Sequence, residues 1–368
     1  MKLVDRLLVA ETSGSFCFGL AIFSALLVTG DLLSQAIKLI VDSGAPVYLV
    51  IEALGLRLPS IVVLTIPMAI LLATLLSFNR LSAQQEITAM RAGGISFVRI
   101  MVPIFFVGLF ASLLSLLLQE QIAPQANRAS DAILVTIGGK SLSRGTRGIL
   151  LRDPPSGDLK RIIFAVGYSG DRKTFERPDV LEYNQGRPVA LVSADSAVWE
   201  GGSWKFTNGY FQTIGRPAGI VVDHFSEISR QLGKSPDEVE REIQALKPEN
   251  MTRRELREFL SSMQKSEKFE GFDRKYRQGL VEMHNKLAVP FSCLVFALVG
   301  APLGMQPQRS SSSIGIGLSI MCIFLYYVIW YYSSLLGYAG RFPPMLASWS
   351  GNIVTAIVGI GLVARASK

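Results

Sequence analysis

Apolar residues in this chain gather into runs far longer than the interior of a soluble fold requires. About 20 apolar residues in a helix cross a hydrocarbon core about 30 Å thick. Six segments meet or approach that length: residues 16–33, 58–78, 100–118, 287–303, 314–336 and 345–364. The second holds Pro59 and Pro67, tolerable inside a bundle whose neighbours re-satisfy the freed carbonyls. Between the third and fourth runs the pattern changes. "RGILLRD", "KRIIFAVGYSG" and "GIVVDHF" are short β-branched and aromatic stretches, separated by Gly-Gly and Asn-Gly turn signals. Many short strands so spaced predict a sandwich, a jelly roll or a barrel, with Ile162, Phe164 and Val166 read as core. Beyond Leu232 the period becomes helical. Ser235 is placed as an N-cap before Pro236, and Thr252 with Glu255 has capping-box spacing. The fold class is therefore an α-helical polytopic membrane protein, three spans plus three, with an inserted all-β domain outside the membrane.

Residues 82–96, "SAQQEITAMRAGGIS", interrupt two apolar runs with one short polar helix. Ser82 and Gln85 have capping-box spacing, and Gly93-Gly94 supplies a stop. Ala83, Ile87 and Met90 are expected to share a face. Glu86 stands near the helix start and Arg91 near its end, each favoured there by the helix dipole. Two readings stay open on the pattern: an interfacial helix that redirects the chain, or a docking helix that enters a groove on a cytoplasmic partner.

Composition sharpens the picture. Of 368 residues 49% are hydrophobic and 18% charged, with a mean hydropathy of +0.35, against about a quarter charged in soluble domains. The net charge of +8 comes with no basic stripe interleaved with aromatics, which excludes nucleic acid as a partner. Basic residues of short loops stay cytoplasmic. An N-terminus inside puts Lys2, Arg6, Arg80, Arg91, Arg99, Arg309, Arg365 and Lys368 in the cytoplasm and only Arg341 in the short loop outside. Six crossings return the C-terminus to the same side, and residues 120–286 fall outside. Lys2 and Arg6 before an apolar run suggest a signal peptide, but the run is long, lacks a small-x-small site and is preceded by Asp5 and Glu11, so it reads as a retained anchor.

Chemistry is sparse. Cys17, Cys293 and Cys322 all lie in apolar runs, and His224 and His284 have no second ligand at metal spacing. No metal or cofactor is called for. No G-x-x-x-x-G-K-[ST] occurs, so the chain does not cradle ATP phosphates in a P-loop. Asp195 with Glu200, and Asp171 with Glu176, lie in turn-rich stretches, and no catalytic constellation stands out. An enzyme is not expected. The serine-rich loop around Arg309 reads as a flexible connection or an ATPase contact. "YYVIWYY", residues 326–332, reads as an aromatic belt or a cavity lining, and Asp31 as a span boundary or a polar group inside the bundle.

"EITAMRAGGIS", "KLAVPFSCLVFALVGAPLGM" and "GRFPPMLASWSGNI", together with the order of three spans, external β domain and three spans, resemble the LptF/LptG family of lipopolysaccharide-transport permeases over essentially the whole chain. The resemblance implies a periplasmic β-jellyroll. It implies pairing with a second LptF/LptG-type permease chain across a lipid-accepting cavity, and energy from a separate dimeric cytoplasmic ABC ATPase that binds the short helix. Glu86 corresponds to the family's coupling glutamate, with Ile87, Met90 and Arg91 beside it. Basic residues near the first span, here Lys38 and Arg57, would meet lipid phosphates, although Asp31 and Asp42 offset Lys38 and ordinary snorkelling of these side chains to the interface is the alternative. The cargo, lipopolysaccharide or a related glycolipid, would pass to a periplasmic jellyroll bridge protein. The implied division is residues 1–119 with the coupling helix at 82–93, a β domain at 120–235, a helical connector at 236–286 and the last three spans at 287–368, in the inner membrane with both termini cytoplasmic. A membrane-anchored scaffold whose β domain only binds an envelope partner is the alternative. A secondary transporter would want ionisable groups in mid-membrane, and the cores of the fourth and sixth runs hold none.

Overall fold

The computed structural model describes residues 2–138, 146–153, 160–170, 172–184, 187–214, 221–245, 247–265, 272–305 and 312–367. Arg309 and Asp171 lie outside them. The first half runs α1 Lys2–Leu27, α2 Leu33–Ser43, α3 Val47–Gly55, α4 Leu58–Ala83, α5 Glu86–Ala92, α6 Phe97–Leu117 and α7 Ala123–Gly138. Six strands follow: β1 Thr146–Asp153, β2 Arg161–Ser169, β3 Thr174–Asn184, β4 Arg187–Glu200, β5 Ser203–Thr213 and β6 Val221–Arg230. The chain closes with α8 Pro236–Ala245, α9 Arg253–Lys265, α10 Phe272–Gly304, α11 Ser312–Tyr338 and α12 Pro344–Ala366.

Among the described residues six helices are long and apolar enough to cross a membrane. Two are longer than the apolar runs suggest. Single π-helical turns, Val28–Leu32 and Leu118–Ile122, weld α1 to α2 and α6 to α7, giving rods Val4–Val41 and Phe97–Leu134 of 38 residues each. At 1.5 Å per residue such a rod is about 57 Å long, well beyond a bilayer core. The stretch after residue 33 is therefore helical rather than a loop, because a π-turn absorbs the extra residue without breaking the hydrogen-bond ladder.

α4 and α10 form the buried axis, while α1, α11 and α12 present most of their apolar surface outward. Lipid tails are as apolar as leucine, so helices in a bilayer associate through close packing of small residues. A methyl group added at Gly300 of α10 would stand 1.9 Å from Thr74 Oγ1 of α4, and one at Gly108 of α6 would stand 2.9 Å from Ala297 Cβ. The largest apolar cluster includes Leu8, Ile87, Phe97, Ile100, Phe296 and Tyr326, with Val363 and Ala366 against it. Both chain ends and α5 thus meet at one end of the bundle.

The strands form one antiparallel sheet in the order β1-β2-β3-β4-β5-β6, a meander of consecutive hairpins. β4 turns into β5 through Gly201 (φ 58°) and Gly202 (φ 85°), pairing Glu200 with Ser203. Two positive φ angles are what a right-twisted two-residue hairpin demands. Core and surface on β2 are opposite to the sequence expectation. Ile163 and Ala165 are fully buried, and Ile162, Phe164 and Val166 are half-buried. Both faces of this strand are apolar, so a two-residue period does not say which one the core takes.

Trp204, Tyr168, Phe175 and Phe206 fill the sheet's interior, with Phe175 and Trp204 ring centroids 4.6 Å apart. α8 closes this core by inserting Val239 and Ile243. Trp204 Nε1 donates to the Lys234 carbonyl at 2.9 Å, and burial pushes the Tyr168 hydroxyl's pKa up. Both expected helix starts form. Ser235 N donates to Glu238 Oε2 at 2.8 Å and Glu238 N to Ser235 Oγ at 3.4 Å. Thr252 N donates to Glu255 Oε2 at 2.8 Å and Glu255 N to Thr252 Oγ1 at 3.2 Å.

Candidate functional site

Two polar constellations stand out, one at each end of the bundle. At the end that carries the termini, α5 is a corner with a defined entry and exit. α4 continues through Ala83, so Ser82 is still inside it and the expected Ser82/Gln85 box does not form. The helix starts instead at Glu86, after Gln85 takes a left-handed φ of 60° and caps it without a side-chain bond. The exit satisfies its own carbonyls: Ile95 N donates to Met90 O at 3.1 Å and Gly94 N to Arg91 O at 2.9 Å, with Gly94 at φ 86°. Ser96 then caps α6, accepting from Arg99 N at 3.3 Å. "GGIS" thus ends one helix and begins the next within four residues.

The break at residues 84–85 resets the helical phase. Ile87 is 4% exposed and packs into the bundle cluster, with Met90 half-buried beside it, whereas Ala83 points out. The apolar face of α5 is therefore held by the chain's own bundle and not offered to a partner. What faces outward is polar: Gln84, Gln85, Thr88 and Arg91 are exposed and Glu86 is half-exposed. The segments entering and leaving α5 both grip α1. Arg80 Nη1 meets Glu11 Oε2 at 3.1 Å, and Arg99 Nη2 meets Asp5 Oδ2 at 2.8 Å.

The other end holds a network that no local pattern announced. Arg57, expected beside Lys38 as a lipid contact, directs its guanidinium into the chain. Nη2 pairs with Asp131 Oδ1 at 2.8 Å, Nη1 donates to Gln35 Oε1 at 3.2 Å and Nε to Ser130 Oγ at 3.3 Å. Asp131 Oδ2 accepts from Asn250 Nδ2 at 2.6 Å, and the Asn250 carbonyl accepts from Arg128 Nε at 2.9 Å. Arg128 also pairs with Glu255. Partial burial raises the Glu255 carboxyl's pKa, but hydrogen bonds from Arg128 and Thr252 outweigh it and hold the carboxyl below its ordinary value. Ser130 Oγ donates in turn to the Ala53 carbonyl of α3 at 2.6 Å, so the network joins α2, α3, the start of α4, α7 and α9 where the chain leaves the bundle for the sheet and returns from it. Lys38 is exposed on α2.

The aromatic run divides. Tyr326 and Tyr327 turn inward, donating to Asn352 Oδ1 at 3.0 Å and to the Leu64 carbonyl at 3.1 Å, and Trp330 Nε1 donates to Asn285 Oδ1 at 3.0 Å. Tyr331 and Tyr332 are exposed on the outer surface. A 3.6-residue period splits any seven-residue aromatic run between two faces. Asp195 and Glu200 lie on β4 and are exposed. Among the described residues no group of three His, Cys, Asp or Glu side chains is placed to hold a metal.

Three spans, a corner helix, an inserted antiparallel sheet and three spans coincide with one family, described as lipopolysaccharide export system permease LptF/LptG, whose model matches residues 6–365. The chain belongs to this family. It is 21% identical over 335 residues to the lipopolysaccharide export system permease protein LptF of Escherichia coli (strain K12), covering 88% of this chain and 84% of that protein. LptF of Shigella flexneri matches with the same figures. As a member of the LptF/LptG family the chain is a multi-pass inner-membrane permease subunit of the lipopolysaccharide export system.

Proposed function

We propose that this chain is the membrane half of an ATP-driven pump that extracts lipopolysaccharide, or a related glycolipid, from the inner membrane and hands it to a periplasmic jellyroll bridge protein. A separate cytoplasmic ABC ATPase dimer supplies the energy, and a second LptF/LptG-type chain completes the lipid-accepting cavity. Both termini and α5 lie in the cytoplasm and the sheet in the periplasm, in keeping with the basic residues of the short loops.

One observation carries the reading: α5 is anchored by its apolar face and free on its polar face. Glu86, with Arg91 at the opposite end, meets the ATPase, and Ile87 and Met90 pass the displacement into the bundle. The ion pairs of Arg80 and Arg99 extend that displacement to α1, which continues through a π-turn into α2 and Lys38. Lys38 contacts the lipid phosphates. Arg57, occupied within the chain, holds the α2–α3 platform that presents Lys38.

Photoreactive side chains at Lys38 and at Phe211 of β5, in the full complex, test this. Lipid labelling at both positions rises on addition of ATP if the chain transports. Labelling indifferent to ATP assigns the chain to a scaffold.

A further inference from the structure

Between α1 and α6, at the end of the bundle that carries the termini, a groove of about 550 Å³ runs along the outer surface. The Asp5–Arg99 pair forms its mouth, and Val9, Val102, Phe106 and Phe110 form its walls. The last three follow at four-residue spacing, so they stack into one stripe down α6. Arg99 and Phe110 are eleven positions apart, which is about 16 Å along a helix, about half of the 30 Å hydrocarbon core. The groove is therefore as deep as one leaflet, polar at the surface and apolar to mid-membrane.

The mouth is incompletely satisfied. Asp5 Oδ2 accepts from Arg99 Nη2 at 2.8 Å. Among the described residues Asp5 Oδ1, which is buried, has no hydrogen-bond partner, a costly state for a carboxylate oxygen. Both side chains keep about a third of their surface open, 35% and 33%; Oδ1 itself is covered, and rotation about the soft Cβ–Cγ torsion of Asp5 presents it to a ligand in the groove. Among the described residues the Arg99 guanidinium makes no other side-chain hydrogen bond. An acceptor in want of a donor, a guanidinium with donors to spare and an apolar slot of leaflet depth complement one class of molecule.

We propose that the groove binds one amine-bearing zwitterionic phospholipid of the surrounding leaflet, of the phosphatidylethanolamine class. Its ammonium donates to Asp5 Oδ1, its phosphate accepts from Arg99, and one acyl chain lies along Val102, Phe106 and Phe110. An anionic phospholipid lacking an amine satisfies Arg99 but sets a negative headgroup beside the carboxylate. A choline headgroup carries no N–H and leaves Oδ1 without a donor. The site needs only a bilayer, and stands whether or not the chain pumps lipopolysaccharide.

The test reconstitutes the full chain, with the partners it purifies with, in vesicles of equal parts phosphatidylethanolamine, phosphatidylglycerol and phosphatidylcholine. Native mass spectrometry of the extracted complex then counts retained lipid. The ethanolamine lipid is expected to be retained about tenfold over either competitor, the worth of one charge-assisted hydrogen bond. Asp5→Asn removes that preference. Ser13→Trp, a change at an exposed position lining the slot, removes retention of all three lipids while leaving the ion pair in place. Equal retention of the three lipids by the parent chain overturns the proposal, as does undiminished retention by Ser13→Trp. A disulfide between Phe106→Cys sites of two copies likewise overturns it, since it gives the groove to a second protein chain.

Discussion

Glu86→Ala is expected to leave the chain inserted and folded, to lower co-purification of the ATPase about 30-fold or more, and to stop export. Glu86 is the first residue of α5, half-exposed, and among the described residues its carboxylate makes no hydrogen bond or ion pair. Its removal therefore breaks nothing inside the chain, and surface substitutions of that kind shift stability by about 0.5 kcal/mol or less. At a docked interface the same truncation leaves the partner's charge desolvated and unpaired, at about 2–5 kcal/mol. Every 1.4 kcal/mol is tenfold in affinity, which gives the 30-fold figure at the lower end. Detergent extraction with quantitation of the ATPase per permease, beside an export measurement, reads both effects. A Glu86→Ala, Arg91→Ala double variant that exports normally and keeps its ATPase would show that force enters elsewhere.

Asp131→Ala is the largest expected loss of stability. Its carboxylate is 9% exposed and pairs with Arg57, which is 28% exposed, while its second oxygen takes the Asn250 amide. Alanine leaves a guanidinium and an amide without their acceptor in a half-buried setting. Breaking a buried pair costs about 3–5 kcal/mol, and the residual exposure of Arg57 places this case near 3 kcal/mol. The damage is local, because the network ties α7 to α3 and to the return through α9. The thermal midpoint in detergent should fall, and the distance distribution between spin labels on α3 and α7 should broaden. Asp131→Asn, which keeps one acceptor, should lose less. An Asp131→Ala chain as stable and as narrow in distance as its parent would mean that the junction is held by apolar packing alone.

The spans and the helix starts at Ser235 and Thr252 were legible because their signals are local, whereas the Ser82/Gln85 spacing misled because α4 runs on through it. A run of 18 or more apolar residues has one cheap solution in a bilayer, and Thr252 with Glu255 satisfies two helix-start donors from three residues away. α5 was legible as a helix but not in phase. A left-handed Gln85 costs little to read afterwards but leaves no mark in the pattern, and it moved Ala83 to the outside and Ile87 to the inside. The Arg57 network was invisible for a different reason. Its members, from Gln35 to Glu255, meet only after the sheet has been inserted and the chain has returned, and each alone looks like a solvated surface residue. Ile162 and Ile163 mark a third limit, since a strand apolar on both faces does not choose its core from its own sequence.

Coupling through α5 requires that α5 and the sheet lie on opposite sides of the membrane, with α5 inside. The direct test uses a chain whose Cys17, Cys293 and Cys322 are changed to alanine, carrying either Thr88→Cys or Asp195→Cys, both at exposed positions. Membrane vesicles of each orientation are treated with a thiol reagent that does not cross the bilayer. Thr88→Cys should react only in inverted vesicles and Asp195→Cys only in right-side-out ones. Reaction of Thr88→Cys in sealed right-side-out vesicles would put α5 beyond the reach of any cytoplasmic ATPase and contradict the proposed coupling.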